Sequence, residues 1–168
     1  MNDYSDLFYT VFSIVIFSFL LLQANSLILR NDSIMIDHEF EKTAIALAQS
    51  VIEEAKKTAF DENMNPNNIP ENFRPQDQFG PPTGFTRDQF TVFDHYHGYE
   101  EDNIPTQLGE FRINVTVTYV ENPNPDVPGS SYVDVTGKRE SKRMTVTATS
   151  LNNGESASLV YVKSYFVN

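Results

Sequence analysis

The densest group of side chains that could do chemistry lies in one short acidic stretch of the chain. Two histidines and four acids fall there within nine residues: Asp94, His95, His97, Glu100, Glu101 and Asp102. Their order does not match the ligand positions of an EF-hand loop, and the histidines lack the spacing of a zinc motif. A solvated acidic loop is the preferred interpretation. The alternative is a calcium site with the ligands Asp94, Glu100, Glu101 and Asp102.

Other reactive constellations cannot be assembled from this sequence. The chain has no cysteine, which excludes disulfides, thiolate nucleophiles and thiolate metal sites. No Ser-His-Asp order, phosphate loop or pair of catalytic carboxylates is recognisable, so we expect neither enzymatic activity nor a cofactor. The net charge of −11 argues against nucleic-acid binding. Basic side chains concentrate in one place, which indicates a solvated turn or a contact with an acidic neighbouring subunit: Lys138, Arg139, Lys142 and Arg143.

The most distinctive stretch is apolar. Leu7 to Leu29 carries no Asp, Glu, Lys, Arg or His over 23 residues, which is long enough to cross the roughly 30 Å hydrocarbon core of a bilayer as a helix. A removed signal peptide is the competing interpretation. Signal peptides have a shorter apolar region, a basic start and a cleavage site of the A-x-A kind, and none of these is found here. The stretch therefore predicts a helix in a membrane or in the core of a filament.

The charges beside this stretch are unusual for a simple anchor. Asp3 and Asp6 precede it and Arg30 follows it, an order that would place the N terminus outside and the following domain in the cytoplasm. Alternatively, a basic leader that set the orientation has been removed. The two acids also suit the positive end of the helix dipole, so simple helix capping is a further interpretation.

Beyond Arg30 the apolar residues become periodic. They recur every three or four positions, and no Gly or Pro occurs before Pro66, which predicts that one helix continues to about residue 60. Its first half is apolar all round and its second half is amphipathic. The stripe consists of Ile36, Phe40, Ala44, Leu47, Val51, Ala55 and Ala59.

The remainder predicts a β-rich head over residues 61–168. Prolines and glycines indicate an irregular loop over 61–109, held to the head by Phe73, Phe79 and Phe85. Alternating apolar residues then predict an antiparallel sheet of about four strands, with a hairpin signal at Asn153-Gly154. The amphipathic half of the helix is the only partner long enough for the dry face of this sheet. The expected fold class is α+β. The strands are predicted at 110–120, 132–135, 142–151 and 157–167.

This order of elements resembles type IV pilins and the pseudopilins of type II secretion. ALAQSVIEEAKKTAF (46–60) is similar to the helix end of minor pilin-like proteins, and FDHYHGYEED (93–102) followed by GEFRINVTVTYV and KRMTVTAT resembles their order of elements. The resemblance implies a structural subunit that polymerises into a helical filament by bundling of N-terminal helices. It further implies residence in the cytoplasmic (inner) membrane, transfer by pilus or secretion machinery, and an extracellular filament at the cell surface.

The chain departs from the family pattern at its start. The family's processing site, a Gly before an apolar residue and a nearby Glu, is absent. If the chain is already processed, Asp3 or Asp6 takes the role of that Glu; the family's position falls on Asp6 when counting starts from Asn2 and on Ser5 when it starts from Met1. The resemblance implies that such an acid meets the N-terminal amine of a neighbouring subunit. A single-span, membrane-anchored extracytoplasmic binding or sensor domain is the alternative function. The candidate assembly residues are Asp3, Asp6, Phe8, Phe12, Ile16, Leu20, Gln23 and Asn25.

Overall fold

The first element is one long helix, α1, which runs from Asp3 to Lys56 without an internal Gly or Pro. The computed structural model describes residues 3–63, 71–127 and 130–165, with the backbone alone for residues 3 and 28–36. The chain divides into two compact units, residues 1–39 and residues 40–168, and the second unit is called the head below. The predicted long helix is confirmed, although it ends four residues before residue 60.

A lysine from the last strand caps the C-terminal end of α1. The Nζ of Lys163 donates hydrogen bonds to the carbonyls of Ala55 and Lys56 in the last turn of the helix and of Thr58 just beyond it, a region where the helix leaves carbonyls without their regular partners. Burial and the charge of Lys142 lower the pKa of Lys163. The chain then turns and pairs with a loop through the isolated bridge of Ala59 with Val92.

We expect Lys163→Met to destabilise the head by about 1 kcal/mol, because it removes a cation and three donated hydrogen bonds from a helix C terminus. Thermal unfolding of the full chain in detergent would measure the change. Lys57→Met is the matched control, since Lys57 is exposed near the same helix end, and its effect should stay within about 0.5 kcal/mol. Equal effects of the two substitutions would contradict the capping role.

Five antiparallel strands form one sheet in the described part of the head. The strand order is β1-β2-β4-β5, and β3 pairs with β2 beyond the end of β1. The long central pair places Val115 opposite Val146. The strand bounds are β1 Glu100–Thr106, β2 Gly109–Glu121, β3 Val133–Val135, β4 Ser141–Ser150 and β5 Ser156–Ser164.

The sheet buries one face against the C-terminal part of α1, as the two hydrophobic patterns predict. Small residues let the helix approach the strands closely, and the α1 side of the core is Ala44, Ala48, Val51, Ile52 and Ala55. Alternate residues of the central strands form the other side: Phe111, Ile113, Val115, Val117, Met144, Val146 and Ala148. The α+β fold class is therefore confirmed, with the part of the amphipathic stripe from Phe40 to Ala55 covering the sheet; the side chain of Ile36 lies outside the described part of the structure.

The sequence-based prediction missed strand β1. Residues 61–109 were expected to form an irregular loop, yet Glu100–Thr106 pairs with β2. This strand is rich in acids, contains Pro105 and has a register shift between Glu101 and Ile104, where Asn103 adopts φ 57°. Such features belong to exposed edge strands. Pairing with a strong neighbour, and not local propensity, makes this segment a strand.

The loop that precedes β1 is fastened to the head by aromatic rings, as predicted. Phe73 is buried with Phe60 and Tyr119, and Phe79 lies 5.2 Å from the ring of Tyr119. Phe85 is the exception, because it is 42% exposed. Between residues 71 and 99 of this loop, three short 3₁₀ helices occur, at Gln76–Gln78, Arg87–Gln89 and Phe93–Tyr96.

Candidate functional site

The first candidate surface is the N-terminal part of α1. Residues Tyr4–Leu27 form a helical stretch of 24 residues that is long and apolar enough to span a membrane, and none of its most apolar window is buried. Its large apolar side chains, from Tyr4 to Leu27, are exposed. An apolar surface of this extent on a folded chain marks contact with lipid or with another protein.

Four of the candidate assembly residues form a single ridge along this stretch. Phe8, Phe12, Ile16 and Leu20 follow each other at four-residue intervals, and they are between 44% and 65% exposed. The rings of Phe8 and Phe12 stack with centroids 6.1 Å apart. Rows of side chains spaced by four are the ridges that fit into grooves of neighbouring helices, so this row is suited to helix packing.

The polar side chains of the stretch divide into two groups. The hydroxyls of Thr10 and Ser26 donate to the carbonyls of Asp6 and Gln23, each over 2.8 Å, which confirms that hydroxyls here can bond within their own helix. The side chains of Asp6, Gln23 and Asn25 are exposed. Asp3 is the first residue of α1, and its side chain lies outside the described part of the structure.

The four candidate calcium ligands do not come together. Asp94 is buried in the core, whereas Glu100 and Asp102 pair with Arg112 at the surface. Glu101 accepts hydrogen bonds from Arg87 and from the hydroxyl of Tyr99. Within residues 3–63, 71–127 and 130–165, no group of three or more His, Asp or Glu could hold a metal ion. The calcium alternative is wrong for these residues, because the four carboxyl groups lie apart and each is paired with a lysine or arginine side chain of the protein.

A second candidate site, which the sequence did not reveal, is a charged cluster in the core formed by Asp61, Asp94 and Lys142. All three side chains are fully buried. The Nζ of Lys142 lies 2.7 Å from Asp61 Oδ2 and 2.7 Å and 2.8 Å from the two carboxyl oxygens of Asp94. It also donates to the carbonyl of Phe60 over 3.0 Å.

Backbone pairing brings the three residues of this cluster together. Lys142 lies on β4 opposite Tyr119, on the face that also carries Met144. Asp61 and Asp94 each follow, by two residues, one partner of the bridge between Ala59 and Val92. That bridge is held by two hydrogen bonds, Ala59 N to the Thr91 carbonyl over 3.0 Å and Phe93 N to the Ala59 carbonyl over 2.9 Å. The two carboxyls are thus positioned by rigid backbone.

The two carboxyl groups have opposite electrostatic environments. Burial raises the pKa of Asp94 to about 7, although Lys142 opposes the shift and Asp61 adds to it. Burial also disfavours the charged form of Asp61, but the Lys142 ammonium and the backbone N–H groups of Asn63 and Arg74 outweigh it and lower its pKa. Asp61 is therefore the ionised member, and Asp94 is the one that retains a proton near neutral pH.

Aromatic rings close the cluster from the outside. The Lys142 Nζ is 4.3 Å from the ring centroid of Phe60 and between 5.1 and 5.8 Å from three further rings, those of Phe79, Tyr119 and Phe73. Ring faces attract an ammonium group and displace water from it. The cluster is consequently a buried site inside the head that holds one ammonium group and is lined by aromatic rings.

The solvated-turn interpretation of the basic residues is wrong for Lys142. Lys138 is partly exposed, and Arg139 and Arg143 form ion pairs at the surface with Glu121 and Asp134. The alternating pattern of β4 could have predicted this placement. Lys142 lies an even number of positions before Met144, Val146 and Ala148, so its side chain points to the same buried face of the sheet. Because Lys142 stands among other basic residues, it was grouped with them as part of a solvated turn.

Comparison with known proteins identifies no family or relative for this chain. No protein-family model, curated protein or solved structure matches the chain significantly. What the structure defines is an α+β protein with an exposed apolar helical stretch and a small β-rich head that encloses a charged cluster.

Proposed function

We propose that this protein is the structural subunit of a filament of the type IV pilus or pseudopilus kind. The observation that carries the proposal is the stretch Tyr4–Leu27, which is apolar, helical and unburied and belongs to the same helix whose later residues form the core of the head. In this role the chain has no catalytic activity. Its partners are further copies of itself.

The physical basis of assembly is exchange between two similar apolar environments. The stretch first lies in the cytoplasmic membrane, and pilus or secretion machinery then moves it into a bundle of identical helices that forms the extracellular filament. Because lipid and bundle are equally apolar, packing and interhelical hydrogen bonds decide the affinity. The ridge from Phe8 to Leu20 supplies packing, and the exposed amides of Gln23 and Asn25 supply hydrogen bonds.

Acidic side chains at the start of the stretch set the axial position of one subunit relative to the next. Asp6 is exposed one turn before Thr10, and in the proposed filament Asp6 or Asp3 accepts the N-terminal amine of the next subunit. An unpaired carboxylate in an apolar bundle would be costly. The pair therefore favours one axial offset between neighbouring subunits over the others.

Electron microscopy of material sheared from cells that express the full chain tests this function. Thin fibres that contain the protein, identified by mass spectrometry, are the expected result. Recovery of the protein in washed membranes alone, without fibres, would favour the alternative of a membrane-anchored extracytoplasmic binding or sensor domain.

A further inference from the structure

The Lys142 nitrogen lies close to both carboxyl oxygens of Asp94. The nitrogen is 2.7 Å and 2.8 Å from the two carboxyl oxygens, so it faces the carbon between them. Asp94 Oδ1 is buried and accepts no hydrogen bond from any described residue. A nucleophile held in contact distance of an electrophilic carbon is close to a near-attack geometry.

The surroundings of this pair also favour a condensation, in which the amine and the carboxylic acid form an amide and release water. The three charged side chains are fully buried, and four aromatic rings surround the amine. In bulk water, amide formation from an amine and a carboxylic acid is opposed by solvation of the two ions. A dry site removes that solvation.

We propose that Lys142 and Asp94 condense to an intramolecular isopeptide bond, with Asp61 accepting the proton that the lysine releases. The Lys142 ammonium gives one proton to the Asp61 carboxylate, and the free amine forms a bond to Cγ of the Asp94 carboxylic acid. The amine nitrogen then loses a second proton, through Asp61, to the departing hydroxyl, and one water molecule leaves. The products are a secondary amide, water and a protonated Asp61, so atoms and charge balance.

The electrostatics of the cluster support this division of roles. Asp94, whose pKa is raised to about 7, provides the protonated acid that an amine can attack, and Asp61, whose pKa is lowered, provides the base. Asp61 is a poorer acceptor for the bond, because only one of its oxygens faces the amine and backbone N–H groups engage the carboxylate. Condensation also replaces buried ions, which are costly, by neutral groups.

Such a bond would fasten the loop before β1 to the centre of the sheet. Asp94 and Lys142 are 48 positions apart in the sequence, and the chain has no cysteine with which to make a covalent strap. The inference stands apart from the filament proposal, because all residues of the cluster lie in the head. It applies equally to a tethered domain.

Peptide mapping of the full chain, purified in detergent and fully denatured, tests the proposal. Trypsin does not cleave after an acylated lysine, so the expected product is a branched peptide that joins residues 88–112 to residues 140–143, lighter by one water than the sum of the two. Quantitative recovery of linear peptides 88–112 and 140–142 would overturn the proposal. A branch to residues 58–87 would overturn the choice of Asp94, because it would place the bond on Asp61.

A pair of variants tests the role of Asp61. Asp61→Asn keeps the amine and the acid but removes the proton acceptor, so the branched peptide should form about 100-fold more slowly after cell-free synthesis into detergent. Glu62→Gln is the matched control, since Glu62 is the neighbouring half-exposed acid, and it should cross-link at the wild-type rate. Near-UV circular dichroism checks that both variants fold. A folded Asp61→Asn that cross-links at the wild-type rate would overturn the role of Asp61.

Discussion

Replacing Leu20 with Asp should abolish the proposed filaments while the head remains folded. Leu20 is 58% exposed on the ridge of α1, and in the proposed bundle it contacts neighbouring helices. A carboxylate near the middle of an apolar helix costs about 2.5–3.5 kcal/mol in lipid. The same cost recurs in the bundle for every subunit, where no cation on the stretch can pair with it. Counting fibres in sheared fractions by electron microscopy measures the effect.

Two comparisons make this experiment specific. Leu20→Ile preserves apolar volume and should give fibres in wild-type number. The Leu20→Asp protein should still be found in washed membranes, because the rest of Tyr4–Leu27 stays apolar, and its head should unfold at the wild-type temperature, because Leu20 lies outside the unit 40–168. Abundant fibres from Leu20→Asp would refute the proposed bundle.

The hydrophobic patterns predicted the main architecture because each pattern has a direct physical cause. The uncharged run from Leu7 to Leu29 and the stripe through Ala44 and Val51 define a helix whose second half must be covered. The alternation in β2 defines a sheet with one dry face. Both elements lie in the structure as expected, since the second half of the helix and the dry face of the sheet bury their apolar area against each other.

The parts that the sequence did not reveal depend on pairing between distant residues. β1 is a strand because β2 offers it an edge, although Pro105 and the polar run Glu100–Asn103 argue against it locally. The site at Lys142 depends on two carboxyls that lie 81 and 48 positions away. A single sequence does not report such distances. The parity of Lys142 with Met144 was the only local signal.

Replacing Lys142 with Ala should destabilise the head by about 3–5 kcal/mol, because the buried carboxyl groups of Asp61 and Asp94 lose the amine that pairs with them or, after condensation, is bonded to Asp94. The ammonium pairs with three acceptors, namely Asp61, Asp94 and the carbonyl of Phe60. Thermal unfolding of the full chain in detergent should show a melting temperature lower by about 10–20 °C.

A surface lysine and a double substitution separate this effect from a general loss of charge. Lys138→Ala removes a partly exposed lysine that donates to the Glu71 carbonyl, and its effect should stay within about 0.5 kcal/mol. Adding Asp94→Ala to Lys142→Ala should cost less than the sum of the two single substitutions, with a coupling of about 1–3 kcal/mol. Additive costs would mean that Lys142 and Asp94 act independently, which the 2.7 Å contact between them argues against. The buried cluster would then be a passive feature of the core and not the group that holds the loop to the sheet.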